Sequence, residues 1–179
     1  MGEAFSLQRL AEVELYRGRR EAARVVLDEA LDVARQTDVG FHLLDRIYGT
    51  RIALGADPAS ALRALEEAEE AVRGPLETCP GCRITFAVPA AIAAARARRL
   101  DLAADYERAV EYLANVVMRL PAWYAALEEV RAHLALARGE DEAVAAARFT
   151  AAARKFSEAG QPLDAARCHA LATSPDRSP

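Results

Sequence analysis

The sequence predicts an all-α protein made of helix hairpins stacked in an array. Three observations predict it. The first is composition: 53% of the 179 residues are hydrophobic but only 6% aromatic, and roughly a quarter are Ala, the best helix former. The second is pattern, since no window alternates polar and apolar residues long enough to make a strand. The third is a recurring spacing. Ala23, Leu27 and Ala30, with Leu31 beside them, fall on one helix face, and Ala61, Leu65 and Ala68 repeat that spacing 38 residues on. Small residues let a neighbouring helix come close, and self-similarity at this period marks a helical solenoid.

The elements follow in order. A first helix is expected over about 4–17, with Leu7, Leu10, Val13 and Leu15 forming a broad apolar side, until Gly18 breaks it. A second runs over about 19–37 to the breaker Asp38-Val39-Gly40. A third spans about 41–54, with Leu44, Ile47, Tyr48 and Ile52 inward. Asp57 and Pro58 open a fourth as cap and first-turn residue, and Gly74-Pro75 stops it near residue 73. After the break at 76–81, a fifth helix covers about 82–99, with a kink or late start at Pro89, which cannot donate to the helical ladder. Asp101 caps a sixth to about 119, in which Leu102, Tyr106 and Ala109 give the spacing again. Pro121 opens a seventh that ends at Gly139, in the role of Gly18. The eighth, about 140–158, carries the longer stripe Ala145, Phe149, Ala152, Phe156 and Ala159. Residues 162–172 make a capping helix, and 173–179 a polar tail. The domain is therefore expected to cover 1–172, with hairpins at about 4–37, 41–73, 82–119 and 121–158.

The charge balance excludes some functions. Twenty-three basic residues against 27 acidic give a net −4, which does not point to a nucleic-acid surface. Arg supplies every cation but Lys155, which with so much Ala suits a GC-rich bacterial coding sequence. The apolar run Ile84–Ala95 is too short to span a membrane, and three Cys suit a reducing compartment, so the expected location is cytoplasmic.

These residues resemble the tetratricopeptide repeat (TPR) family. The resemblance is carried by Leu10-Ala11, Gly18, Ala23, Leu27 and Ala30-Leu31, then by Tyr48-Gly49, Ala61, Leu65 and Ala68, then by Leu102, Tyr106 and Ala109-Val110. In the fourth hairpin Ala143 and Ala147 hold but Thr150 stands where Ala is usual. The resemblance implies a right-handed superhelix, a TPR-like α-solenoid of about four hairpins with a C-terminal capping helix. The segment Ala152–Arg167 is also similar to the last repeats of large bacterial signal-transduction ATPases and LuxR-like transcription regulators. That implies a non-catalytic protein-protein or peptide interaction scaffold, the partner-binding or sensor region of such a regulator. Its own phosphate loop is excluded, because a single Lys, at 155, cannot complete one.

Candidate chemistry is sparse. Cys79-Pro80-Gly81-Cys82 places two thiols at a helix start, where a redox pair or half of a zinc site would fit. A βαβ setting and two further ligands near in sequence are missing. Neither the isolated His42, His133 and His169 nor any Ser/His/Asp set forms a catalytic arrangement, so no enzyme and no cofactor are expected. Trp123 and Tyr124 read as core packing or as binding aromatics. In the TPR family the first helix of each hairpin usually lines the concave surface. Carried over, that face holds Gln8, Glu12, Arg46, Thr50, Ala87, Ala91, Trp123 and Glu128. Its mixed polar end suits a peptide, and its Ala-lined middle an apolar side chain or helix. The alternatives are a small-molecule effector sensor with an apolar groove, and a Cys79/Cys82 redox or metal switch. Other expected partners are adjoining regulator domains, or a second copy covering Phe5 and Leu7 of the first helix.

Overall fold

In a computed structural model, residues 2–36, 40–72 and 79–173 are described, apart from the side chains of Phe41 and Pro80. The expected breaks at Asp38-Val39-Gly40, Gly74-Pro75 and 76–81 and the tail 173–179 lie outside the described residues, except for Gly40, residues 79–81 and Thr173. Among them the chain is all-helical and no strand forms. The helices are α1 (Gly2–Tyr16), α2 (Arg20–Arg35), α3 (Phe41–Ala53), α4 (Pro58–Val72), α5 (Pro80–Arg96), α6 (Leu100–Tyr112), α7 (Pro121–Arg138), α8 (Glu142–Glu158) and α9 (Pro162–Thr173). None is long and apolar enough to cross a membrane. The chain divides into two compact units, residues 1–90 and 91–179, with the division inside α5.

One turn recurs at four helix ends. Gly18, Gly139 and Gly160 adopt φ of 72–73°, the left-handed conformation that closes a helix without a Cβ clash. The following residue donates back to the carbonyl five positions earlier: Arg19 to Glu14, Glu140 to Ala135 and Gln161 to Phe156, at 2.9–3.0 Å. After α5 the same bond runs from Arg99 to Ala94 at 2.9 Å, but the left-handed position is Arg98, at φ 54°. A side chain there costs about 1 kcal/mol relative to Gly. Arg98→Gly is therefore expected to stabilise the chain by about that amount, seen as a higher urea midpoint with an unchanged slope.

In the first unit the core follows the recurring spacing. Ala23, Leu27 and Ala30 on α2 and Ala61, Leu65 and Ala68 on α4 are buried, with Ile47 and Ile52 of α3 and Ile84 and Phe86 of α5. Asp57 caps α4 as its sequence indicates, accepting from the Ser60 backbone N–H at 2.9 Å while Ser60 Oγ accepts from the Asp57 N–H at 3.2 Å. On α1 the buried stripe is Ala4, Gln8 and Ala11, whereas Leu10 and Val13, expected inward, are 45% and 42% exposed. Small residues decide that orientation, because α1 packs on both α2 and α3 and only its Ala stripe admits two close neighbours.

Helix α5 runs through Pro89 and starts before Cys82, so the late start expected at Pro89 does not occur. Pro89 leaves the Thr85 carbonyl without its usual helical donor. That carbonyl points at Gly49 of α3, where an added Cβ would lie 2.3 Å from the oxygen. That close approach of two helix backbones gives Gly49 a steric role.

In the second unit α7 packs on α6 and α8, and α8 on α9. On α6 the buried residues are Ala103, Tyr106 and Val110. Leu102 and Ala109, expected in that stripe, are half-buried, so Tyr106 keeps its place and its two partners in the stripe are each displaced by one residue. Beyond Tyr112 the helix widens into a π-helical turn, Leu113–Met118, closed by Arg119 N–H donating to the Ala114 carbonyl at 3.0 Å. Arg119 is left-handed and Leu120 extended, the latter as Pro121 requires. On α8, Ala145, Phe149 and Ala152 are fully buried. They repeat the spacing of Ala23, Leu27 and Ala30 with Phe in the large position.

Candidate functional site

The expected concave residues of the first unit do come together. Gln8 Nε2 donates to Thr50 Oγ1 at 2.9 Å and to Glu12 Oε1 at 2.6 Å, and Thr50 Oγ1 donates to the Arg46 carbonyl at 3.0 Å. The Arg46 guanidinium lies 5.6 Å from the centroid of the Phe5 ring. Gln8 and Thr50, however, are buried. They bond each other across α1 and α3 and offer no open surface, and Gln8 Oε1 stays buried without a hydrogen-bond partner. Ala87 and Ala91 are fully buried as well, because their small side chains let helices close over them. Glu12 and Arg46 keep partial exposure, as do Trp123 and Glu128 on α7.

Glu128 borders an open depression of about 470 Å³ on the α7–α8 face. Its other lining residues are Ala143, Val144, Ala147, Arg148 and Ala151 of α8. The floor is apolar and Val144 is 40% exposed. The rim is charged: Glu128 accepts from Lys155 Nζ at 2.7 Å and lies 3.8 Å from Arg148. Earlier in the same unit Tyr112, Val116, Val117 and Leu120 stand 39–59% exposed around the π-helical turn. Apolar surface gathered in this way marks contact sites more than scattered residues do.

Two buried ion pairs form the polar framework, and they were not expected from the sequence. In the first unit Asp45 of α3, fully buried, accepts from Arg83 of α5 at 3.2 Å, and Arg83 also reaches Glu69 of α4 at 3.1 Å. In the second unit Glu129 of α7, equally buried, is clasped by Arg167 of α9 at 3.1 and 2.7 Å, and Arg167 also bonds Asp164 at 2.6 Å. Each pair spans 38 residues, the offset of the Ala/Leu/Ala spacing. The second set stands 84 positions after the first without a gap: Asp45 and Arg83 become Glu129 and Arg167, Asp57 becomes Asp141, and Ala61, Leu65 and Ala68 become Ala145, Phe149 and Ala152. Asp141 is again a helix cap, accepting from the Ala143 N–H at 2.8 Å. That gap-free register is the signal from which the pairs could have been found.

Around Glu129 the second unit buries two more titratable groups. Burial pushes the Cys168 thiol far above its ordinary range, and the charge of Glu129 adds to that. His133, one turn after Glu129, stacks edge-on to Phe149 at 5.0 Å. Burial, aided by the charges of Arg96 and Arg167, lowers its pKa from 6.5 to about 3. Below about pH 6.5 the unfolded chain binds a proton at this residue and the folded chain does not, so stability falls as the pH is lowered and is complete only above that value. About 2 kcal/mol is expected to be lost between pH 7 and pH 5. Urea midpoints measured across that range should show the slope, and His133→Leu should flatten it.

At the start of α5, Cys79 is exposed and Cys82 half-buried, and both are free thiols. Among the described residues no group of three or more His, Cys, Asp or Glu side chains is disposed to hold a metal ion. The remaining cysteine, Cys168, is a buried free thiol in the second unit.

No family profile, curated protein or solved structure matches the chain, and its functional reading rests on these residues alone.

Proposed function

We propose that the chain is a TPR-like repeat scaffold that binds a protein or peptide segment, as the partner-binding region of a bacterial transcription or signal-transduction regulator. The observation that carries this reading is the α7–α8 face. An apolar floor of Val144 and three Ala residues is the kind of groove that takes the apolar side of an amphipathic helix. Glu128, Arg148 and Lys155 on its rim supply both signs of charge to fix the register of the bound segment. The recurring hairpin spacing and the 84-residue repeat of caps, core and ion pairs support the repeat class. The apolar residues around the π-helical turn add a second contact area.

The test is selection of peptides from a random display library against the full chain, followed by titration of the enriched peptides. Val144→Asp is expected to weaken them at least about tenfold, because it places a charge on the apolar floor. Arg138→Gln, away from the depression, should leave them unchanged, and circular dichroism should show both variants folded. Enriched peptides indifferent to Val144→Asp, or the absence of enrichment, would overturn the assignment of this face.

A further inference from the structure

We propose that the outer face of α1 pairs with the same face of a second copy, the two α1 helices lying antiparallel about a two-fold axis beside Leu10. The proposal is independent of the α7–α8 face and rests on the first unit alone.

Helix α1 packs on α2 and α3, and its buried residues are the stripe Ala4, Gln8 and Ala11. Its large residues are thereby turned outward: Phe5, Leu10, Val13 and Tyr16 are 41–45% exposed. Leu7, expected to share this surface, is half-buried and takes no part. Among the described residues of the first unit, Val25 of α2 is the other large apolar side chain so exposed. Four such residues on one helix make a continuous face, and a face of this kind marks a contact surface.

The face is complementary to itself. Wound at about 3.6 residues per turn, it has Val13 along its middle. One flank carries Phe5, Arg9, Glu12 and Tyr16, and the other Glu3, Ser6, Leu10 and Arg17. A two-fold axis between antiparallel helices sets each flank against the same flank of the partner. A residue then meets one that lies as far beyond the axis as it lies before it. With the axis beside Leu10, Phe5 meets the partner's Tyr16 and the two Leu10 side chains meet each other. Arg9 meets the partner's Glu12, and Glu3 meets the partner's Arg17. Val13 lies against the aliphatic stem of the partner's Arg9. Apolar groups thus face apolar groups, and every charge faces its opposite. A parallel pair would bring Arg9 and Arg17 level with their own copies and oppose like charges. Within α1, Arg9 bonds Glu12 at 2.5 Å and Arg17 lies 3.4 Å from Glu14, yet these two Arg side chains are 58% and 60% exposed. A guanidinium has five N–H donors, so both keep some for a partner. The four apolar residues offer about 350 Å², and Glu3, Arg9 and Arg17 bring the face to about 700 Å² a copy, within the lower range of specific interfaces. The expected dimer is therefore reversible, with a dissociation constant in the micromolar range.

The test is sedimentation of the full chain over a concentration series from about 1 to 500 μM, which spans half-association for a complex of that affinity. The mass is expected to rise from one chain to two. Leu10→Asp, which opposes two carboxylates at the axis, should raise the dissociation constant at least about tenfold. Val25→Asp, the same change on α2, should leave it unchanged, and circular dichroism should show both variants folded. Charge reversal tests the orientation. Glu3→Arg or Arg17→Glu alone should weaken pairing about threefold or more, and the two together should restore it, because opposite charges again meet across the axis. A single-chain mass at every concentration would overturn the proposal. So would dimers indifferent to Leu10→Asp, or a double reversal no tighter than either single one.

Discussion

Replacing Arg167 by Ala is expected to destabilise the folded chain by about 3 kcal/mol, because it leaves a buried carboxylate without its counter-charge. Glu129 is only 2% exposed, and two of its hydrogen bonds come from the Arg167 guanidinium. The groups that remain nearby do not replace that charge: Cys168 is neutral, and His133 is held neutral by its burial. Denaturant unfolding reads the loss directly. A paired replacement, Glu129→Leu with Arg167→Met, should recover most of it, since apolar residues of similar volume often replace a buried ion pair without loss. If the paired variant were as unstable as Arg167→Ala, lost packing and not the orphaned charge would be the cause.

Gly49→Ala is expected to cost about 3 kcal/mol, at the upper end for overpacking. The sign is informative, because Gly→Ala inside a helix ordinarily stabilises by up to about 1 kcal/mol. Here the new methyl would meet the Thr85 carbonyl and the Phe86 Cα. Both are backbone, so a rotamer change cannot relieve the clash and α3 and α5 must separate. Pro89→Ala separates the two causes. It restores a donor for the Thr85 carbonyl within α5 but leaves the oxygen close to Gly49, so it should not rescue Gly49→Ala. A Gly49→Ala variant as stable as the parent would contradict this close packing.

The sequence reveals helices more readily than it reveals their faces. Ala23, Leu27, Ala30 and their counterparts on α4 were legible because a large residue between two small ones has one good way to pack. The Asp57 cap and the Gly18 and Gly139 turns were legible because their chemistry is local. On α1 the apolar residues run almost all round, and the stripe that is buried contains Gln8. A polar residue there reads as surface until its partner, Thr50, is known to lie across from it. The same problem hid Asp45 and Glu129, whose partners are 38 residues away. The π-helical turn and the left-handed Arg98 carry no marker residue at all. The candidate binding face was legible only in part. Glu128 borders the depression, but Ala87 and Ala91, small enough to line a groove, are also small enough for it to close over them.

One repeating polar staple joins helices 38 residues apart, once in each unit. Double-mutant cycles test it most directly, with Asp45→Ala and Arg83→Ala in one cycle and Glu129→Ala and Arg167→Ala in the other, read by urea unfolding. A coupling of about 1.5 kcal/mol or more is expected in both cycles. Effects that add to within about 0.5 kcal/mol in both would contradict it.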